Sequence, residues 1–95
     1  MKILAIEKEM QGVKDSDYAP YLEAETRKVW ELQQKGLIRE IYFTDEHCAV
    51  LVLEAHDKTH AREMVDELPL VQQKLIDFEL MALTAYSGFA RLFKD

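Results

Sequence analysis

One carboxylate lies where an amphipathic helix should be apolar. Residues Asp17–Gly36 have helical apolar spacing, and at about 100° per residue Glu25 falls in the middle of the apolar face. The apolar members of that face are Tyr18, Leu22, Val29 and Leu32. Burial among such neighbours would raise the pKa of Glu25 and make it a candidate general acid or base. The alternative is a structural carboxylate, held in an ion pair or by a tyrosine hydroxyl.

Arg39 is the candidate partner of Glu25. It lies in a predicted strand, on a face whose other members are Leu37, Ile41 and Phe43. An arginine there is either paired with a carboxylate or available to an anionic ligand. In a pocket, Glu25 would transfer a proton while Arg39 holds a substrate carboxylate or stabilises an enolate. Contact between the two side chains is a hypothesis at this point.

Four further side chains are candidates for ligand binding. Tyr18 and Tyr21 flank Glu25 and could present hydroxyls to a ligand, although such tyrosines are often core residues with solvated tips. Tyr42 could orient a ligand from the strand that carries Arg39. His47 lies in a predicted turn, where loops commonly carry function.

The remaining candidates for chemistry are weak. His56 and His60 are four residues apart, but Asp57 is expected to cap the helix between them, so the two rings lack the geometry of metal ligands. Cys48 is expected to begin a buried strand as an inert thiol. We see no glycine-rich phosphate loop, and we predict neither a metal nor a cofactor.

Composition predicts one small globular domain, residues 1–95. The chain is 48% hydrophobic and has a formal net charge of −6, which argues against a nucleic-acid partner. No stretch is long and apolar enough to cross a bilayer, and charge at Lys2 and Glu7 interrupts the N-terminus too early for a signal peptide. The single cysteine permits no internal disulfide, so we expect a cytoplasmic protein.

The elements that must position these residues alternate in a recognisable order. The predicted strands are Lys2–Glu7, Leu37–Phe43, Cys48–Ala55 and Ile76–Leu83, and the predicted helices are Asp17–Gly36 and Lys58–Leu68. Asp17 and Asp57 are the expected N-caps, Gly36 is the expected C-cap, and Pro69 should stop the second helix. With right-handed crossovers, β-α-β-β-α-β gives a ferredoxin-like α+β fold, an antiparallel sheet with two helices on one face.

Two helices can cover only one face of this sheet. Val50 and Val52 must point away from Leu51 and Leu53, yet all four are apolar. The uncovered apolar patch would be several hundred Å², which is typical of an interface. We therefore predict a homodimer in which two sheets pack face to face.

The tail Thr84–Asp95 is too apolar to be free. It carries four large apolar side chains: Tyr86, Phe89, Leu92 and Phe93. They should dock either on their own domain or on a neighbour. Trp30, which lies off the core face of its helix, could receive this tail or a neighbouring dimer.

Three stretches resemble the muconolactone isomerase-like family of dimeric α+β barrels. They are Trp30–Arg39, Leu68-Pro69-Leu70 followed by Leu75–Glu79, and Tyr86–Phe93. The resemblance implies a ferredoxin-like protomer, a face-to-face dimer and possible assemblies of dimers. The enzyme that names the family moves a proton on an unsaturated lactone without a cofactor. The activity itself is not carried over, because a full catalytic set cannot be matched residue by residue.

The leading hypothesis is a homodimer with an apolar pocket for a small, anionic, unsaturated or aromatic metabolite. If it is an enzyme, we expect cofactor-free, isomerase-type proton transfer. A ligand-binding or assembly module without turnover is the second hypothesis, and a cofactor-independent oxygenase on the same scaffold is the third.

Overall fold

A computed structural model of the chain describes residues 1–93. The elements are β1 (Lys2–Glu9), α1 (Asp15–Tyr18), a 3-10 turn (Ala19–Tyr21), α2 (Leu22–Gln34), β2 (Ile38–Phe43), β3 (Ala49–Glu54), α3 (Lys58–Val65), α4 (Pro69–Gln72), β4 (Ile76–Leu83) and a 3-10 helix (Gly88–Leu92). The four strands form one antiparallel sheet in the order β2-β3-β1-β4. The predicted ferredoxin-like α+β fold is therefore confirmed. Within residues 1–93, none of the helices combines the length and apolar character needed to span a membrane.

The core lies between the helices and one face of the sheet. Buried residues on that face are Ile3, Ala5, Ile38, Leu51, Leu53, Ile76 and Phe78, and they meet Leu32 of α2 and Ala61, Met64 and Val65 of α3. The opposite face carries apolar side chains as well, among them Leu4, Ile6, Val50, Val52 and Met81. The sequence correctly predicted an apolar pattern on both faces.

The first helix begins differently from the prediction. Asp17 was expected to be the N-cap of one continuous helix, but a short helix, α1, begins at Asp15. Asp17 is the third residue of α1, and its carboxylate accepts a hydrogen bond from the Lys14 backbone N–H at 2.9 Å. Pro20 then lies in the 3-10 turn, so the long helix starts only at Leu22. The prediction failed because proline was read as a first-turn residue of one helix rather than as the joint between two.

Gly36 ends α2 as predicted. Its φ angle is +75°, in the left-handed region where a side chain is disfavoured. The Gly36 N–H donates to the Gln33 carbonyl at 2.9 Å, and the Leu37 N–H donates to the Leu32 carbonyl at 3.0 Å. These two bonds satisfy carbonyls at the helix end and turn the chain into β2.

A bulge in β2 overturns the predicted placement of Arg39. A regular strand would put Arg39 on the same face as Ile41 and Phe43. The register against β3 instead shifts between Ile38 and Glu40, so Ile38 and Ile41 both face the helices. Arg39 is the extra residue of the bulge, and its side chain is exposed.

The tail leaves the body of the protein. The side chains of Tyr86, Phe89, Leu92 and Phe93 are 66–80% exposed. The molecule is 60 Å long but only 27 and 21 Å across, and its radius of gyration is 15.8 Å. A compact domain of this length would have a radius of gyration of roughly 12 Å. The structure therefore does not show the tail packed on its own domain.

Candidate functional site

Glu25 caps a helix other than its own. It lies in the first turn of α2, half-buried, and its Oε1 accepts a hydrogen bond from the Leu70 backbone N–H at 2.9 Å. Leu70 is the second residue of α4, where backbone N–H groups have no partner within the helix. Pro69 before it has no N–H to offer. The carboxylate therefore replaces the missing side-chain cap of α4 and meets the positive end of its dipole.

The second oxygen of Glu25 remains available. Within residues 1–93 the Leu70 N–H is its hydrogen-bond partner, and it is bound to Oε1. No buried side-chain oxygen in this part of the chain lacks a partner, so Oε2 must reach solvent-accessible space. Burial raises the pKa of Glu25, the Leu70 N–H opposes that rise, and the negative charge of Glu7 adds to it. One oxygen is thus fixed, while the other can exchange a proton.

Glu7 links three titratable groups at this end of the sheet. It lies on the helix-covered face near the end of β1, and its Oε1 accepts a hydrogen bond from the Ala49 N–H at 2.9 Å. Burial raises the pKa of Tyr18, Glu25 and Cys48, and the charge of Glu7 raises all three pKa values further. Glu7, Tyr18, Glu25 and Cys48 are called the Glu7 cluster below.

Sequence reasoning missed Glu7. The signal was present, since the alternation of Ile3 and Ala5 along β1 continues to Glu7 on the same face. The predicted strand ends at Glu7, in the charged run Glu7-Lys8-Glu9, and Glu7 was given no role in a site. The structure extends the strand to Glu9, which keeps Glu7 inside the sheet.

Glu25 and Arg39 are not brought together. No ion pair joins them within the described residues. Ile38, beside Arg39, lies across the sheet from Ile3, and Glu7 is four residues farther along β1. At about 3.3 Å per residue, Arg39 is roughly 13 Å from the Glu7 end, measured along the strands. Within one copy, the two proposed catalytic residues lie toward opposite ends of the sheet.

The two tyrosines beside Glu25 share its end of the molecule. Tyr18 and Tyr21 are half-buried and pack against the core. The charges of Glu9 and Glu7 reinforce the effect of burial on the pKa of Tyr18. Both aromatic rings therefore contribute to the packing, the Tyr18 hydroxyl stays protonated at neutral pH, and contact of either tyrosine with a ligand stays a prediction.

Tyr42 and His47 lie in β2 and in the turn that follows it, not on the helix that carries Glu25. Tyr42 is exposed and belongs to the uncovered face, where its hydroxyl donates to Glu40 Oε1 at 2.7 Å; this bond raises the pKa of Tyr42. His47 has a φ of +67° in the turn between β2 and β3, and its ring centroid lies 5.1 Å from that of Phe43. His47 lies at the ends of β2 and β3, where Phe43 pairs with Ala49. This end of the sheet is near Glu7, because the Ala49 N–H donates to Glu7.

The weaker candidates have mainly structural contacts. Asp57 caps α3 as predicted, accepting a hydrogen bond from the His60 N–H at 2.8 Å. The His60 Nδ1 accepts from the His56 N–H at 3.0 Å, and the two rings stack. Among residues 1–93 no three His, Cys, Asp or Glu side chains are grouped as metal ligands. Cys48 precedes β3 instead of beginning it, and it is half-buried.

Two surface depressions lie on another part of the body, beside α3 and β4. One is lined by Lys58, Thr59, Arg62 and Leu80. The other also includes Arg62, whose guanidinium donates to the Asp77 carboxylate at 2.8 Å. Neither contains a member of the Glu7 cluster.

Comparison with known proteins identifies the fold and no more. No protein-family model matches the chain, and no curated protein sequence matches it. A solved structure does: 5-chloro-2-hydroxyhydroquinone dehydrochlorinase from Burkholderia phenoliruptrix AC1100, in complex with 2,5-dihydroxybenzoquinone. The match has a TM-score of 0.70 and covers 93% of this chain and 98% of that one. The two chains share this fold. At 16% identity the likeness extends to architecture alone, and in that respect it agrees with the family resemblance seen in the sequence.

Proposed function

We propose that this chain binds a small, unsaturated or phenolic molecule at the Glu7 cluster, and that Glu25 transfers a proton to or from it without a cofactor. The observation that carries the proposal is the carboxylate of Glu25, with one oxygen held by the Leu70 N–H and the other accessible. A pKa raised by burial brings a carboxyl group closer to the pH at which it can both accept and return a proton.

The surroundings of Glu25 favour a ligand that arrives uncharged. Glu7 adds negative charge near it and raises its pKa, and Glu9 and Glu7 raise the pKa of neighbouring Tyr18 in the same way. The sequence predicted an anionic ligand held by Arg39, but that guanidinium lies toward the other end of the sheet. An anion bound beside Glu25 would meet like charges without a nearby counter-ion, which is unfavourable.

The structural neighbour supports the ligand class. Its title describes an enzyme acting on a chlorinated hydroxyhydroquinone and bound to a dihydroxybenzoquinone. Small oxygenated rings can therefore be accommodated by this fold. Hydroquinone, which is neutral at pH 7, and 2,5-dihydroxybenzoquinone, a vinylogous acid that is ionised there, form a matched pair of probes.

The test is ligand binding and solvent proton exchange in deuterium oxide. We expect hydroquinone to bind more tightly than the ionised quinone, and Glu25→Gln to abolish protein-dependent exchange of its ring protons while the protein stays folded. Arg39→Met is the control and should leave both results unchanged. Binding of the quinone alone, lost in Arg39→Met, would overturn the proposal in favour of an anion site at Arg39.

One observation favours a second function, a ligand-binding or assembly module without turnover. The Leu70 N–H gives Glu25 a complete structural role as the cap of α4, with no need for chemistry. Under this alternative hydroquinone would bind, but its ring protons would exchange at the same rate with wild-type protein and with Glu25→Gln.

We also propose that two copies associate through the uncovered face of the sheet. Leu4, Ile6, Val50 and Met81 lie there on three adjacent strands and are only partly buried in one copy. A second sheet packed about 10 Å away would cover them. We also propose that the protein is cytoplasmic, because its single cysteine permits no internal disulfide.

A further inference from the structure

The tail residues 84–93 form an ordered apolar projection. Tyr86 and Phe89 make an edge-to-face pair with ring centroids 5.0 Å apart, and Phe89 belongs to the 3-10 helix Gly88–Leu92. The ring of Tyr86 lies where a side chain on Gly88 would be, because an added Cβ would overlap it. The shape is thus specified locally, although the side chains are mostly exposed. We call residues 84–93 the arm.

Four exposed apolar side chains lie between a helix and an edge strand, on the far edge of the body from the arm. Leu22 and Trp30 are both exposed and lie within about 80° of each other around α2. They are on the side of α2 away from α3, because Lys28 on the opposite side pairs with Glu67 at 3.3 Å. That side borders the edge strand β2, whose helix-facing residues Ile41 and Phe43 are exposed too. Leu22, Trp30, Ile41 and Phe43 define the α2–β2 groove.

We propose that the arm of one copy docks in the α2–β2 groove of a second copy. The arm cannot simply fold onto its own groove, since it leaves from β4 at one edge of the sheet and the groove lies at the other. In the structure it extends away from its body, which gives the molecule its 60 Å length. The groove that it fills therefore belongs to another copy.

Charge and area both fit this partner. Residues 1–83 contain ten Lys and Arg against seventeen Asp and Glu, a net charge of −7, whereas residues 84–95 carry Arg91, Lys94 and Asp95, a net charge of +1. Four large side chains that are 66–80% exposed offer roughly 500 Å² for burial. With the matching groove surface, the contact buries about 1,000 Å², the lower bound for a specific interface. The sheet-face contact is separate and does not require the arm.

Trp30 makes the docking measurable, because it is the only tryptophan in the chain and is 59% exposed. We compare its emission and acrylamide quenching in the full-length protein and in the full-length double variant Phe89→Ser, Phe93→Ser. The wild type should emit at shorter wavelength and be quenched several-fold less. Met10→Ser removes an exposed apolar side chain outside the arm and the groove, and it should behave as wild type. Gly88→Ala should weaken the protection by displacing the Tyr86 ring.

A mixing experiment shows which copy supplies the arm. Full-length Trp30→Phe provides arms without tryptophan, and the Phe89→Ser, Phe93→Ser variant provides Trp30 without a competent arm. After equilibration, the mixture should show the blue shift and protection that the double variant lacks alone. Identical Trp30 signals in wild type and double variant would overturn the proposal. Protection in the wild type that does not return on mixing would overturn it too, because the arm would then bind its own chain.

Discussion

Replacing Glu25 by alanine should destabilise the protein through α4, whereas replacing it by glutamine should not. Alanine leaves the Leu70 N–H, in a residue that is itself buried, without its acceptor. Loss of such a cap costs about 1–2 kcal/mol. For a domain of this size that corresponds to a fall in Tm of roughly 4–16 °C. Glutamine keeps a carbonyl oxygen that can accept the same hydrogen bond but has no negative charge. Comparing the two variants therefore distinguishes the effect of the hydrogen bond from the effect of the charge.

The charge of Glu25 gives a second, pH-dependent difference. Burial raises its pKa in the folded protein above the ordinary value of 4.5, so the folded state holds this proton more tightly than the unfolded state does. The stabilisation from the proton is complete below pH 4.5 and is lost as pH rises through the folded pKa. Relative to Glu25→Gln, the wild type should therefore become less stable across that window. Denaturant unfolding of wild type, Glu25→Gln and Glu25→Ala at several pH values measures both effects. Equal stability of the alanine and glutamine variants, with no pH dependence against wild type, would refute this reasoning.

Three further predictions concern other contacts. The changes in stability caused by Glu25→Gln and Arg39→Met, whatever their sign, should be additive within about 0.5 kcal/mol in a double-mutant cycle, and a larger coupling would mean that the side chains interact. In the Phe89→Ser, Phe93→Ser background, which removes arm docking, Val50→Lys puts a charge on the uncovered sheet face, so light scattering at micromolar concentration should show monomers where the parent double variant is dimeric; a monomeric parent would contradict the sheet-face dimer. Glu7→Gln removes a charge that raises the pKa of Cys48, so alkylation of the thiol at pH 7–8 should become several-fold faster. An unchanged rate would show that the charge of Glu7 does not act on Cys48.

The sequence predicted the fold because the signals for it are local and repeated. Gly36 and Asp57 mark helix ends by backbone chemistry that needs no distant partner. Alternation in β3 put Leu51 and Val52 on opposite faces before the sheet was known. Such patterns predict which elements form and which face each one buries.

The candidate site was harder to predict because its contacts are distant in sequence. Glu25 was correctly singled out as a carboxylate on a buried face, but its partner, a backbone N–H 45 residues away, has no side-chain signature. Arg39 was expected opposite Glu25, and a single extra residue in β2 removed it from the predicted face. A bulge of this kind depends on the pairing with β3 and leaves no mark in the residue types of the strand.

The most direct test is a pH titration of the Glu25 carboxyl group itself. Its carboxyl resonance is monitored by NMR with and without hydroquinone. We expect a pKa of Glu25 above 4.5 that falls in Glu7→Gln, and a titration that shifts when hydroquinone binds. A carboxyl group that titrates at or below 4.5, with no response to Glu7→Gln or to hydroquinone, would contradict the proposal that Glu25 is the proton-transfer group.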